Sequence, residues 1–186
     1  MRGYVNIEAE IERMLRHVRL PRLSNRIGVD IETLMREAFD FDVAYIENLE
    51  LRGRSILGLL VPERRLVLVE ARDLRERQRF TLAHECGHLI LDFRNVGAAS
   101  LFGDAFAQLF SCSATDVDFS SDSASWKKRR EILSNKFAAQ LLMPADLCIA
   151  LYKEGLGIEN CAQQLGVSNK ACAIRLAELG VISRNW

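Results

Sequence analysis

Two histidines and a glutamate stand in the order His84-Glu85-Cys86-Gly87-His88, an HExxH pattern. On a helix the histidines fall at i and i+4, so both imidazoles rise from one face a single turn apart and can reach one metal ion. Glu85 follows His84 by about 100° of helical rotation. Its carboxylate therefore lies beside that face, placed to take a proton from water without serving as a ligand. Three fixed positions do recur by chance on ordinary helices, but the chain holds only 3 histidines, and two of them have this spacing. Leu82, Cys86, Leu89 and Phe93 run i, i+4, i+7, i+11 and give the helix a separate face to bury.

A catalytic zinc ion needs three protein ligands and one open position. His17 is the one histidine left, so a third histidine downstream is excluded and a carboxylate must be sought. Glu131 is the best placed. It shares a helical stripe with Asn135, Ala138 and Leu142, and the small Ala138 and Ala139 would let that helix approach the first. Asn135, one turn on, could orient a ligand or bond nearby backbone. Asp92, Asp104, Asp116, Asp118 and Asp122 are weaker rivals because nothing fixes them on a rigid element. For a donor to the developing oxyanion, Tyr45, Tyr152 and Arg79 are all eligible, and the sequence does not choose among them.

The elements that must position these residues are legible in outline. Residues 5–20 carry an apolar stripe ending near Pro21, and His17 lies off it. Asp30 can cap a helix whose inner face is Ile31, Leu34, Met35 and Ala38, and a short strand follows over Val43–Ile46. Ser55–Val61 and Arg65–Glu70 flank Pro62-Glu63-Arg64 and predict an antiparallel hairpin, whose edge could pair with an extended peptide. Asp73 and Glu76 resemble a capping box opening the HExxH helix, which should run to about Leu91. Residues 94–126 turn small and polar and read as a long loop with a short helix at Ala105–Phe110. Cys112 in that loop could block a metal as a thiolate, though an incidental thiol is commoner.

After Pro144 come a helix to about Lys153, a short apolar-faced helix from Ile158 to Leu165, a turn at Gly166-Val167-Ser168, and a helix with Cys172, Leu176 and Leu179 inward. This is a helix-turn-helix pattern. Its outer face would carry Asn169, Lys170 and Arg175, few charges for gripping phosphates, which favours protein contact or packing over direct DNA binding.

Composition bounds the rest. With 25 basic and 25 acidic residues the formal net charge is zero, which gives no electrostatic case for nucleic acid or an acidic membrane. The charged N-terminus lacks an apolar signal core, and the longest apolar run, Ile56–Val61, is too short to span a bilayer, so a soluble, cytoplasmic protein is expected. The 5 cysteines lack CxxC spacing and read as reduced, mostly buried thiols, Cys86 among them.

Arg79-Phe-Thr-Leu-Ala-His-Glu-Cys-Gly-His, followed after a gap by Glu131 to Pro144 with its Asn, Phe-Ala-Ala and Leu-Leu-Met-Pro elements, resembles the ImmA/IrrE family of zinc-dependent metallopeptidases over residues 25–180. The resemblance implies an α+β fold with a zincin (gluzincin-like) core, a small antiparallel sheet and a C-terminal helix-turn-helix-like segment. It implies His84, His88 and Glu131 as Zn2+ ligands and Glu85 as general base, and a protein substrate, a helix-turn-helix transcriptional repressor whose site-specific cleavage relieves repression of a stress response or mobile element. The chain departs from the family in its serine-rich gap before Glu131 and in Cys86, where a bulkier apolar residue is common. The domains expected are a core with N-terminal helices over 1–144 and a helical segment over 145–186. The rival reading is a transcription regulator or toxin-antitoxin partner with a structural zincin core and DNA-binding C-terminal helices.

Overall fold

The computed structural model describes residues 28–96 and 123–183. The helix expected over 5–20, His17, the short helix at 105–110, Cys112 and the aspartates at 104, 116, 118 and 122 lie outside them. Helix α1 spans Ile31–Phe39 and begins where sequence chemistry says it should: the Asp30 carboxylate accepts from the Thr33 N–H at 3.1 Å and from its hydroxyl at 3.0 Å. Its inner face, Ile31, Leu34, Met35 and Phe39, is buried.

Five strands follow: β1 Asp42–Ile46, β2 Glu50–Leu51, β3 Arg54–Ser55, β4 Gly58–Val61 and β5 Leu66–Glu70. The expected hairpin forms between β4 and β5, turned by a 3-10 helix over Pro62–Arg64, and pairs antiparallel with Gly58 opposite Val69. It starts three residues later than expected, because Ser55 is drawn into a separate two-stranded ribbon opposite Glu50. The main sheet has the order β1-β5-β4, and β1 runs parallel to β5. The sheet is therefore mixed, not antiparallel throughout. The β2–β3 ribbon and β4 lie between β1 and β5 in the chain and give the length that a parallel crossover needs. β4 occupies one edge.

Helix α2, Arg75–Val96, carries the HExxH pattern, and α3 spans Ser123–Leu142. Both reach into the segment read as loop from sequence, which loses residues 94–96 to α2 and 123–126 to α3. Asp73 does not form a capping box: its carboxylate accepts from the adjacent Leu74 N–H at 2.9 Å and pairs with Arg77 at 3.2 Å. α2 and α3 pack closely against each other at Gly87. A Cβ on Gly87 would sit 3.0 Å from the Ser134 Cα and 3.2 Å from its Cβ, so any larger residue would push α3 away by some tenths of an ångström. The small residues at the crossing are Gly87 and Ser134, with Ala138 wholly buried beyond them.

Three short helices complete the described chain: α4 Ala145–Lys153, α5 Ile158–Leu165 and α6 Asn169–Glu178. Gly166 caps α5 at φ 65°, where an L side chain would be strained, and Ser168 caps α6 by accepting from the Ala171 N–H at 3.2 Å. Their inner residues Cys161, Leu165, Cys172 and Leu176 join one hydrophobic core with Met35, Phe41, Val67, Leu82 and Leu141. Arg175 departs from its expected place on the outer face. It is 7% exposed, and its guanidinium donates to the Met143 carbonyl at 3.1 Å. That carbonyl is one of the acceptors left open where α3 ends before Pro144. No described helix is long and apolar enough to cross a membrane.

Candidate metal centre

The α2–α3 contact brings His84, His88 and Glu131 together, as the residue pattern anticipates. His84 Nε2 lies 3.3 Å from one Glu131 oxygen and His88 Nε2 lies 3.2 Å from the other. The ring centroids stand 4.5 Å apart at 87°. Among the described residues these three form the one group whose histidine and acidic atoms lie close enough together, within 4.8 Å, to share an ion.

Each imidazole is held from behind. Asn135 Oδ1 accepts from His84 Nδ1 at 2.9 Å, and the Ser134 hydroxyl meets His88 Nδ1 at 3.0 Å. With its proton on Nδ1, each ring presents the Nε2 lone pair toward Glu131. Asn135 is the partner the sequence suggested. Ser134 went unnoticed there, although it lies on the same helix three residues after Glu131. Burial first, then the charges of His84 and Arg130, hold His88 below the usual histidine range, which keeps its lone pair free near neutral pH.

The donor set fits a zinc ion. Two ligand atoms bound at about 2.0–2.1 Å in a tetrahedron stand roughly 3.3–3.4 Å apart, close to the nitrogen–oxygen separations here. Imidazole nitrogen with carboxylate oxygen is also the ligand chemistry that zinc accepts. Glu131 is half exposed at 56%, so solvent reaches the cluster. If an ion binds here, Asn135→Ala should weaken zinc roughly 10–100-fold, measured by chelator competition, because the His84 ring loses its orienting partner.

Glu85 lies beside this cluster and is no part of it. Its carboxylate takes the Leu60 backbone N–H from β4, and its carboxyl is raised to about 7, by burial foremost and by the negative charge of Glu131 second. In the metal-free protein the folded state thus keeps a proton that the unfolded chain gives up near pH 4.5. Stability should therefore fall as pH rises from about 4.5 to 7 and level off above. Glu85→Gln removes that loss. Metal-free Glu85→Gln should exceed the wild type by on the order of 1–2 kcal/mol at pH 8, after allowance for screening, and match it near pH 4 in urea unfolding.

Two of the three candidate oxyanion donors are committed elsewhere. Arg79 donates to the carbonyls of Gly166 and Val29, both at 3.0 Å, tying α2 to the α5–α6 turn. Tyr45 donates to Glu32, and burial pushes its phenol well above the usual range. Both line a cavity of about 600 Å³ with Asp30, Asp73 and Leu82, a cavity that includes no member of the histidine cluster. Tyr152 packs against the core. The described cysteines are buried and unbridged, and burial raises their thiols, Cys148 to about 11 and Cys172 to about 12, so they are inert.

The α+β domain clasps the helix with the HExxH pattern to a second helix that supplies a glutamate, a set of three side chains that could hold a metal ion. The family model for the IrrE N-terminal-like domain, Peptidase_M78, matches residues 36–177, and the chain belongs to this family. No curated protein matches it. Among solved structures, a Mycobacterium tuberculosis transcriptional regulator superposes with a TM-score of 0.60 at 18% identity, over 94% of this chain and 47% of that one. At that identity the likeness is one of fold. The chain spans about half the length of that structure.

Proposed function

We propose that this protein is a zinc-dependent endopeptidase with a zincin core, and that its substrate is a helix-turn-helix transcriptional repressor. The observation that carries the reading is the convergence of His84 Nε2 and His88 Nε2 on the two oxygens of Glu131, with Glu85 beside them. His84, His88 and Glu131 would hold the ion, and the zinc, when bound, supplies a Lewis acid for the scissile carbonyl and for water. Glu85 accepts the proton of the attacking water and later delivers it to the leaving amine nitrogen. Ser134 and Asn135 hold the imidazoles so that neither turns during turnover. β4, an edge strand directly beside Glu85, offers main-chain groups to an extended substrate.

The solved relative is named a transcriptional regulator, which supports a regulatory setting and also the rival reading, a DNA-binding regulator. That rival loses force in the C-terminal helices. With Arg175 buried on Met143, the cation left on the outer face of α5 and α6 is Lys170. Incubation of the zinc-loaded protein with helix-turn-helix repressors encoded beside its gene, followed by intact-mass analysis, tests the proposal. Cutting at one bond supports it. Intact repressors, together with salt-resistant binding to a specific DNA site, favour the rival.

A further inference from the structure

We infer that Gly58 and the backbone N–H of Leu60, both on the edge strand β4, are positioning elements for Glu85. The inference rests on the peptidase reading for its catalytic meaning, but its geometry stands independently. The Leu57 carbonyl accepts from the Glu70 N–H at 2.9 Å, so residue 57 and, by alternation, residues 59 and 61 turn their peptide groups toward β5. Gly58 and Leu60 turn theirs to the free edge. There the Leu60 N–H meets the Glu85 carboxylate and not a neighbouring strand.

Gly58 makes that meeting possible. A Cβ at this position would lie 2.5 Å from the Thr81 Cγ2, 3.1 Å from the Glu85 Oε1 and 3.3 Å from its Cγ. The first distance bars a side chain unless the Thr81 methyl gives way, and the other two would press directly on the base. A glycine weakens a strand, and its presence here follows from how closely α2 passes the edge. The consequence is a base fixed from two sides: by the helix that carries it and by a strand amide that limits where its oxygens can go. With the Leu60 N–H engaged, the outward groups left to pair with a substrate strand are the Gly58 N–H, the Gly58 carbonyl and the Leu60 carbonyl.

Two measurements test this. The first is amide hydrogen exchange in wild type and Glu85→Ala, which needs no substrate. Loss of protection at Leu60 of about tenfold or more, with Leu59 and Val61 unchanged, is expected; unchanged protection at Leu60 overturns the inference. The second compares Gly58→Ala with Gly58→Ala/Thr81→Ser, in which the nearest obstructing methyl is gone. Each should bind zinc with wild-type stoichiometry. The single variant should lose about tenfold in kcat with KM within about twofold, as expected for a base moved by tenths of an ångström. The double variant should regain thermal stability while kcat stays low, because the crowding on Glu85 persists. Recovery of kcat together with stability shows that Gly58 matters for folding alone and overturns the assignment. If the protein cleaves no repressor, the exchange result still decides the geometry, and the peptidase reading fails separately.

Discussion

On the proposed reading, replacing Glu85 by glutamine should abolish peptide cleavage, lowering kcat by about 10²–10⁴-fold, while the zinc content of the protein stays at its wild-type level. The substitution keeps the shape of the side chain and an oxygen that can still accept the Leu60 N–H, but removes the group that receives the proton. Glu85 is not a member of the His84, His88, Glu131 cluster, so the ion keeps its three protein ligands. Intact-mass assays of a cut repressor and elemental analysis of the same preparation read both halves. Cleavage at wild-type rate in the variant rejects Glu85 as the base. Loss of zinc along with activity means that the residue holds the ion, directly or through the packing of α2.

Glu131→Ala has the larger effect on metal. It removes the carboxylate that both Nε2 atoms face at 3.2 and 3.3 Å and leaves two ligands from a single helix. The loss in zinc affinity should exceed the roughly 10–100-fold expected for an outer partner such as Asn135. Thermal melts show this without a substrate. At a zinc concentration 100 times the dissociation constant, binding stabilises the wild-type fold by about 2.7 kcal/mol, and the melting temperature should rise by several degrees. In Glu131→Ala the same zinc should leave the midpoint unchanged. An equal rise in both proteins would place the ion elsewhere.

The parts of this site readable from sequence are those governed by local periodicity. The i, i+4 histidines and the glutamate between them need one helix and nothing else, and Glu131 with Asn135 needs one more. What could not be read depends on contacts between distant segments. Ser134 carries no signal in the sequence, because its role exists only where α3 lies against Gly87, where its small side chain both permits the approach and meets His88. The parallel pairing of β1 with β5 joins residues 24 apart across an intervening ribbon and strand, as for Asp42 with Leu66, and no turn chemistry announces it. Arg175 was assigned to the outer face because a helical wheel knows nothing of the open carbonyl at Met143, which rewards burying a guanidinium with a hydrogen bond. Gly58 read as an ordinary member of a hairpin, and its reason lies on another element, in Thr81 and Glu85.

The fold divides the work between two kinds of contact. The crossing of α2 with α3 at Gly87 and Ser134 assembles the ligands, and the approach of α2 to β4 at Gly58 sets the base. Both depend on residues without bulk, and in both a single added carbon meets atoms at 3.0 Å or less.

The most direct test is anomalous diffraction from crystals of the zinc-soaked protein, with data collected on either side of the zinc absorption edge. The expected result is one strong edge-dependent peak about 2.0–2.2 Å from His84 Nε2, His88 Nε2 and a Glu131 carboxylate oxygen. A Glu131 side chain turned away from both rings, with no edge-dependent peak between them, would contradict it.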